Sequence, residues 1–176
     1  MKWNKLNNAV YTSDSKIVHI DTSDIAILKD NIQHAPDNRI RICTHHENDI
    51  VHEMIIAINK ESYIRPHKHN NKSESFHMVE GEMDVVIFDD AGKLLKIISM
   101  GQTGSGKSFF YRLSSPFFHT VYLRTEYVIF HETTHGPFIK EDTLMAPWSP
   151  QPSEKHKISL FISKLEQDIQ TYANNP

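Results

Sequence analysis

From Arg39 to Thr134 the chain is written in short apolar and β-branched runs: RIRIC, HEMIIAI, SYIRPH, SFHMV, MDVVIF, LLKIIS, FFYRL, FFHTVYL and EYVIFHE. Turn formers punctuate them, notably Asp89-Asp90-Ala91-Gly92 and the glycine-rich stretch 101–108. Runs of this length between turn signals predict strands stacked into a sandwich or barrel. The flanks read differently. Behind the capping candidates Thr22, Ser23 and Asp24, Ile25, Leu28 and Ile32 recur at helical spacing until Pro36 ends the run, which predicts a short helix over 23–33. Residues 136–153 carry four prolines and read as an extended wrap. Beyond them Ile158, Phe161, Ile162, Leu165, Ile169 and Tyr172 form one stripe on a C-terminal helix, suited to packing against the barrel or a second subunit. The predicted organisation is an N-terminal helical and extended segment 1–38, a β-barrel 39–150 and a C-terminal helix 151–176, an all-β class overall.

One stretch offers a competing function. GQTGSGKS, Gly101 to Ser108, satisfies the phosphate-loop pattern G-x-x-x-x-G-K-[ST]. Such a loop needs a helix behind it whose N-terminus faces the phosphates. From Ser108 the chain reads SFFYRLSSPFFHTVYL, dense in aromatic residues and broken by Pro116, which favours strand, turn and strand. A later apolar strand ending in Asp, to help hold magnesium, is absent; EYVIF runs instead into His131 and Glu132. The stretch is therefore read as a flexible turn between two strands.

Composition narrows the classes further. The chain has 176 residues and a formal net charge of −3, so no basic surface argues for nucleic acid or an anionic membrane. A single cysteine, Cys43, excludes an internal disulfide and suits a reducing compartment; it reads as a small buried apolar residue. The opening residues lack the apolar core of a signal peptide, and no membrane-length apolar stretch occurs, so the expected location is cytoplasmic. The unusual number is twelve histidines. It draws attention to metal or acid/base chemistry.

The informative segment is PHKHNNKSESFHMVEG, Pro66 to Gly81. His67 and His69, two apart, project from one face of a strand, so both imidazoles can reach one ion. Glu74 follows after enough chain to turn and offer a carboxylate from the adjoining strand, and Gly81 supplies a hairpin turn. His119, just after Pro116 at the start of another apolar strand, is a fourth candidate. Three imidazoles and a carboxylate suit one divalent transition metal, Zn, Fe, Mn or Ni, and an octahedral ion so held keeps two open positions.

The order H-x-H, four residues, E, six residues, G resembles the first motif of the cupin superfamily, and P-x-x-H at 116–119 resembles the core of its second. A longer signature is similar to the WbuC-type cupin-fold metalloproteins found with O-antigen and other surface-polysaccharide genes. Its pieces are Arg39-x-Arg41-x-x-x-His45, Tyr63-Ile-Arg65-Pro66-His67-x-His69, Lys72-x-Glu74, Phe88-Asp89-x-x-Gly92, Glu132-x-x-x-Gly136-Pro137-Phe138 and Ala146-Pro147-Trp148-x-Pro150. The chain departs from the cupin pattern in lacking a glycine shortly before His67, in carrying Phe117-Phe118 where the second motif commonly has glycine, and in lacking its trailing asparagine.

The resemblance implies a cupin jelly-roll barrel with a metal inside, held by His67, His69, Glu74 and His119. Strand alternation then sorts the other polar residues. Phe76 and Met78 share Glu74's face and are expected to line the cavity. Arg41, Cys43 and His45 share one face of their strand, and Glu132 follows Val128 and Phe130 on another. His45 and Glu132 are thus candidate proton shuttles, and Arg41 a candidate anion anchor. Tyr63 and Arg65, which precede the ligands in the same parity, and Lys72 beside Glu74 are candidate substrate contacts. The implied function is a metalloenzyme of isomerase or epimerase type acting on a sugar nucleotide or small polar metabolite in surface-polysaccharide biosynthesis. An iron-dependent dioxygenase and a non-catalytic cupin that binds or senses a small ligand are the alternatives. A homodimer is expected, because a barrel's outer faces and edge strands favour pairing.

Overall fold

The computed structural model describes residues 1–174. Along the chain run β1 (Asn4–Asn7), β2 (Val10–Thr12), α1 (Thr22–Asn31), β3 (Arg39–Cys43), β4 (Val51–Asn59), β5 (His67–His69) and β6 (Glu74–Glu80). β7 (Glu82–Phe88), β8 (Leu94–Gly101), β9 (Phe110–Leu113), β10 (Phe118–Leu123), β11 (Tyr127–His135), β12 (Thr143–Met145) and α2 (Lys155–Asn174) complete it. Two sheets form, in the orders β1-β2-β3-β4-β11-β6-β9 and β12-β5-β10-β7-β8. Within them the eight strands β4 to β11 are distributed as β4-β11-β6-β9 facing β5-β10-β7-β8. That interleaving, with first and last strands adjacent, is the jelly roll.

Strand alternation builds three apolar layers from one chain. Inward residues of both sheets, among them Met54, Ile56, Phe76, Met78, Val85 and Phe130, fill the barrel. The outward residues Ile40, Ile42, Ile55, Ala57 and Ile129 pack under Leu28 and Ile32 of the N-terminal helical region. On the opposite face Val86, Phe88 and Phe118 receive Leu165 and Ile169 of α2, with Trp148 packed beside them. The C-terminal stripe therefore covers this chain's own barrel, and each fully buried Leu or Ile is worth about 1.5–3 kcal/mol. At Gly92, φ is +86° and a Cβ would meet the Trp148 ring at 2.9 Å, so glycine is required by both conformation and space. Among the described residues no helix is long and apolar enough to cross a membrane.

Three expectations change in detail. The cap of α1 is Asp21, whose side chain accepts from the backbone N–H of Ser23 and Asp24 while the Asp24 side chain accepts from Asp21 N–H. This reciprocal box starts the helix one residue before the predicted position. SYIRPH is a strand only at His67, because Pro66 has no N–H to give a ladder and the Arg65 side chain is drawn to residues 146–151. A hairpin of β1 and β2, whose polar sequence carries no strand pattern, extends the larger sheet by a parallel pairing of β2 with β3. GQTGSGKS does join two strands, β8 and β9, and Lys107 pairs with Glu82.

Candidate metal centre

β5 and β10 lie side by side with His119 opposite His67, and β6 opens in the facing sheet with Glu74. Three imidazoles from one sheet thus meet a carboxylate from the other inside the barrel. The ring centroids stand 5.0 Å apart for His67 and His69, 4.6 Å for His67 and His119, and 5.6 Å for His69 and His119. One nitrogen of each lies within 4.8 Å of those of the other two. Glu74 Oε1 is 3.0 Å from His119 Nε2, and its Oε2 is 3.6 Å from His69 Nε2.

The outer nitrogens are anchored. His67 Nδ1 is 2.9 Å from Arg65 O, His119 Nδ1 is 3.0 Å from Phe117 O, and His69 Nδ1 is 3.0 Å from Thr143 Oγ1. Holding Nδ1 this way directs each Nε2 toward the common point, as in carbonyl- or carboxylate-braced metal ligands. Glu74 is 4% exposed and His119 2%, yet Glu74 Oε1 and His119 Nε2 have no hydrogen bond of good geometry. Orphaned buried atoms aimed at one point, on donors of the N₃O type, fit a divalent transition metal.

Electrostatics favour ligation. Burial, reinforced by neighbouring His119, lowers the His67 pKa to about 4, so this imidazole is neutral. Burial would lower His119 and raise Glu74, but their mutual attraction prevails: the imidazole is held above its usual value and the carboxyl well below.

A second polar group faces the same space. Glu132 on β11 stands opposite Phe76 of β6, and Phe76 stands opposite Tyr111 of β9, so Glu132, Phe76 and Tyr111 form one cross-strand row beside Glu74. Burial, then the charge of Glu74, pushes the Glu132 pKa up to about 7, against the pull of Arg41, His119 and Arg39. The barrel interior takes Cys43 of β3, packed on the inner core, and the parity of Arg41 and Arg39 follows it. Arg41 Nη1 is 4.0 Å from the Met54 sulfur and its Nε is buried without a partner. Phe76 and Met78 are buried in the inner core.

Other candidates stand elsewhere. His45 lies past the end of β3, stacked on His52 at 3.8 Å, with Nδ1 2.8 Å from Glu53 O and 3.0 Å from Glu53 N. It is tied to β4 and does not join the four donors. Arg65 donates to Ser149 Oγ, Gln151 Oε1 and Ala146 O, and Tyr63 donates to Pro150 O. Both side chains fasten the segment after β12 to the barrel. Lys72 sits over the Phe138 ring, 5.1 Å from its centroid. Two inward residues carry no site role in the sequence analysis: Tyr111, and Arg39, which stands there only as a signature residue. Both share the inward parity of their strands, and parity alone within FFYRL and RIRIC would have nominated them.

The strand order, with this donor cluster between the sheets, decides the architecture. The fold is a jelly roll, as the motif resemblance implies. A family described as a domain of unknown function, DUF6016, matches residues 20–100, just under half of the chain. No curated protein matches. Solved structures with related folds include protein SO0799 from Shewanella oneidensis, at TM-score 0.47 and 7% identity over 56% of this chain and 63% of that one. A mutant oxalate decarboxylase of Bacillus subtilis gives TM-score 0.45 and 18% identity over 55% of this chain and 24% of that one. The formate complex of Lactobacillus farciminis oxalate decarboxylase gives 0.43 and 17%, over 55% and 27%. This chain thus spans under two thirds of the first and about a quarter of the decarboxylases.

Proposed function

We propose that this chain is a cupin that binds one divalent transition metal through His67, His69, Glu74 and His119 and acts on a small polar metabolite there. The observation that carries the reading is the convergence of three braced imidazoles on a buried carboxylate. A metal bound by this set supplies a Lewis-acidic centre with open positions for a ligand's oxygen atoms. The chain's own residues supply the rest. Glu132, near neutrality in its proton affinity, accepts and returns a proton at its carboxyl oxygens. Arg41, with Nε unpartnered, holds an anionic group. The inner core around Phe76 and Met78 excludes water.

Isomerisation or epimerisation uses this equipment, and the motif resemblance to WbuC-type proteins supports a sugar nucleotide or related compound of surface-polysaccharide synthesis as substrate, in a cytoplasmic homodimer. The orphaned donors also support a second reading, a cupin that binds its ligand without turning it over. Elemental analysis of the purified protein, alongside His67→Ala and His119→Ala, tests the metal: wild type is expected to carry about one ion per chain and the variants far less. Turnover assays of nucleotide sugars with Glu132→Gln and Arg41→Met separate the functions. Lost turnover with retained affinity supports the enzyme; absent turnover throughout, with Arg41→Met losing affinity, supports the binder.

A further inference from the structure

Tyr111 carries a hydroxyl that the protein does not satisfy. β9 turns the residue into the barrel, where it is 5% exposed and packs on Phe76 with ring centroids 5.3 Å apart. Its Oη is buried without a hydrogen-bond partner. A buried hydroxyl left unpaired is costly, so a partner is expected in the barrel interior that it faces. The register defines which part of that interior. Leu113 pairs with Glu74 and Tyr111 with Phe76, which makes Tyr111 the diagonal cross-strand neighbour of the metal-ligand candidate, on the side of β6 away from Glu132. A phenol is a hydrogen-bond donor at ordinary pH. Arg41 Nε, likewise buried and unpartnered, is a second donor facing the interior. An interior with spare donors is matched by a ligand rich in acceptors.

We propose that Tyr111 is a ligand-binding residue whose hydroxyl donates a hydrogen bond to an anionic oxygen of the molecule held at the metal centre, so that the site selects small carboxylates or enolates over neutral ligands. This rests on the four-donor metal reading and deepens it. Tyr111→Phe removes one oxygen and keeps the ring that packs on Phe76.

The test uses cobalt(II)-loaded wild type and Tyr111→Phe, titrated with acetate and, as a neutral ligand unable to accept from the phenol while bound, with imidazole, both followed by visible absorption. Cobalt affinity is expected to stay within about twofold and acetate affinity to fall about tenfold, equivalent to about 1.4 kcal/mol. Imidazole affinity is expected to be unchanged. Equal acetate affinities in the two proteins overturn the proposal in favour of a packing role. A fall in cobalt affinity with unchanged acetate affinity overturns it in favour of positioning Glu74. Wild type that takes up no cobalt sinks the metal reading itself, and the proposal with it. Should Tyr111→Phe fail to fold, acetate titration of zinc-loaded wild type, read by the NMR shift of the Tyr111 ring, decides: a saturable shift supports the contact and an unmoved ring refutes it.

Discussion

Nε2 of His119 lies 3.0 Å from Oε1 of Glu74 across the barrel. Without metal this imidazole keeps its proton more readily than usual, because burial, which would lower its pKa, is outweighed by attraction to the Glu74 carboxylate. A metal must displace that proton. Cobalt or zinc binding at about pH 6 is therefore expected to release protons, and apparent affinity to rise with pH until the imidazole is deprotonated without help. Calorimetry in buffers of different ionisation heat reads the release directly; a buffer-independent heat would contradict the pairing.

Glu132 makes stability depend on pH in a predictable direction. Its folded pKa, about 7, lies above the 4.5 of an ordinary glutamate. The folded state thus holds a proton that the unfolded chain has given up. The resulting penalty is absent below about pH 4.5, grows through the window and is complete above about pH 7. Glu132→Gln is expected to stabilise the metal-free protein by about 1–2 kcal/mol near pH 8, a value reduced for solvent at this half-buried site, and by nothing near pH 4. Urea unfolding at the two pH values checks it.

Arg65 behaves as a fastener. Its guanidinium donates to Ser149 Oγ at 2.9 Å, Gln151 Oε1 at 2.8 Å and Ala146 O at 3.0 Å. Arg65→Ala is expected to cost about 2–3 kcal/mol of stability while folded protein keeps its metal. Denaturant unfolding and metal content measure the two effects. Unchanged stability with lost ligand affinity would return Arg65 to the ligand site.

Lys107 has the sequence position of a phosphate-loop lysine and the structural position of a surface partner to Glu82. Lys107→Ala is expected to change stability by less than about 1 kcal/mol. Calorimetry with ATP should show no binding to either protein; saturable binding abolished by the substitution would revive the nucleotide reading.

The β texture was legible because strand periodicity and turn chemistry are local properties, and the H-x-H spacing declared itself because two residues on one strand must share a face. What escaped depends on partners distant in sequence. Nothing near Asn4–Asn7 announces a strand, since β1 and β2 gain their order by joining β3. Arg65 has the parity of a ligand neighbour, yet Ala146, Ser149 and Gln151 claim its donors. His45 follows the alternation of β3 only until Cys43, where the strand stops and stacking on His52 takes over. Tyr111 has inward parity within FFYRL, but its place beside Glu74 is set by the register of β9 on β6.

β4 and β11 pair along their whole length, from Val51 with His135 to Asn59 with Tyr127. The strand that completes the barrel is thus the last of its eight to leave the ribosome, and it brings Glu132 with it. Contacts this remote along the chain carry a heavy loop-closure cost and tend to make folding slow. Until that closure Glu132 is missing from the interior that Glu74 and the histidines face, so the polar lining of the barrel is complete only once the most distant pairing has formed.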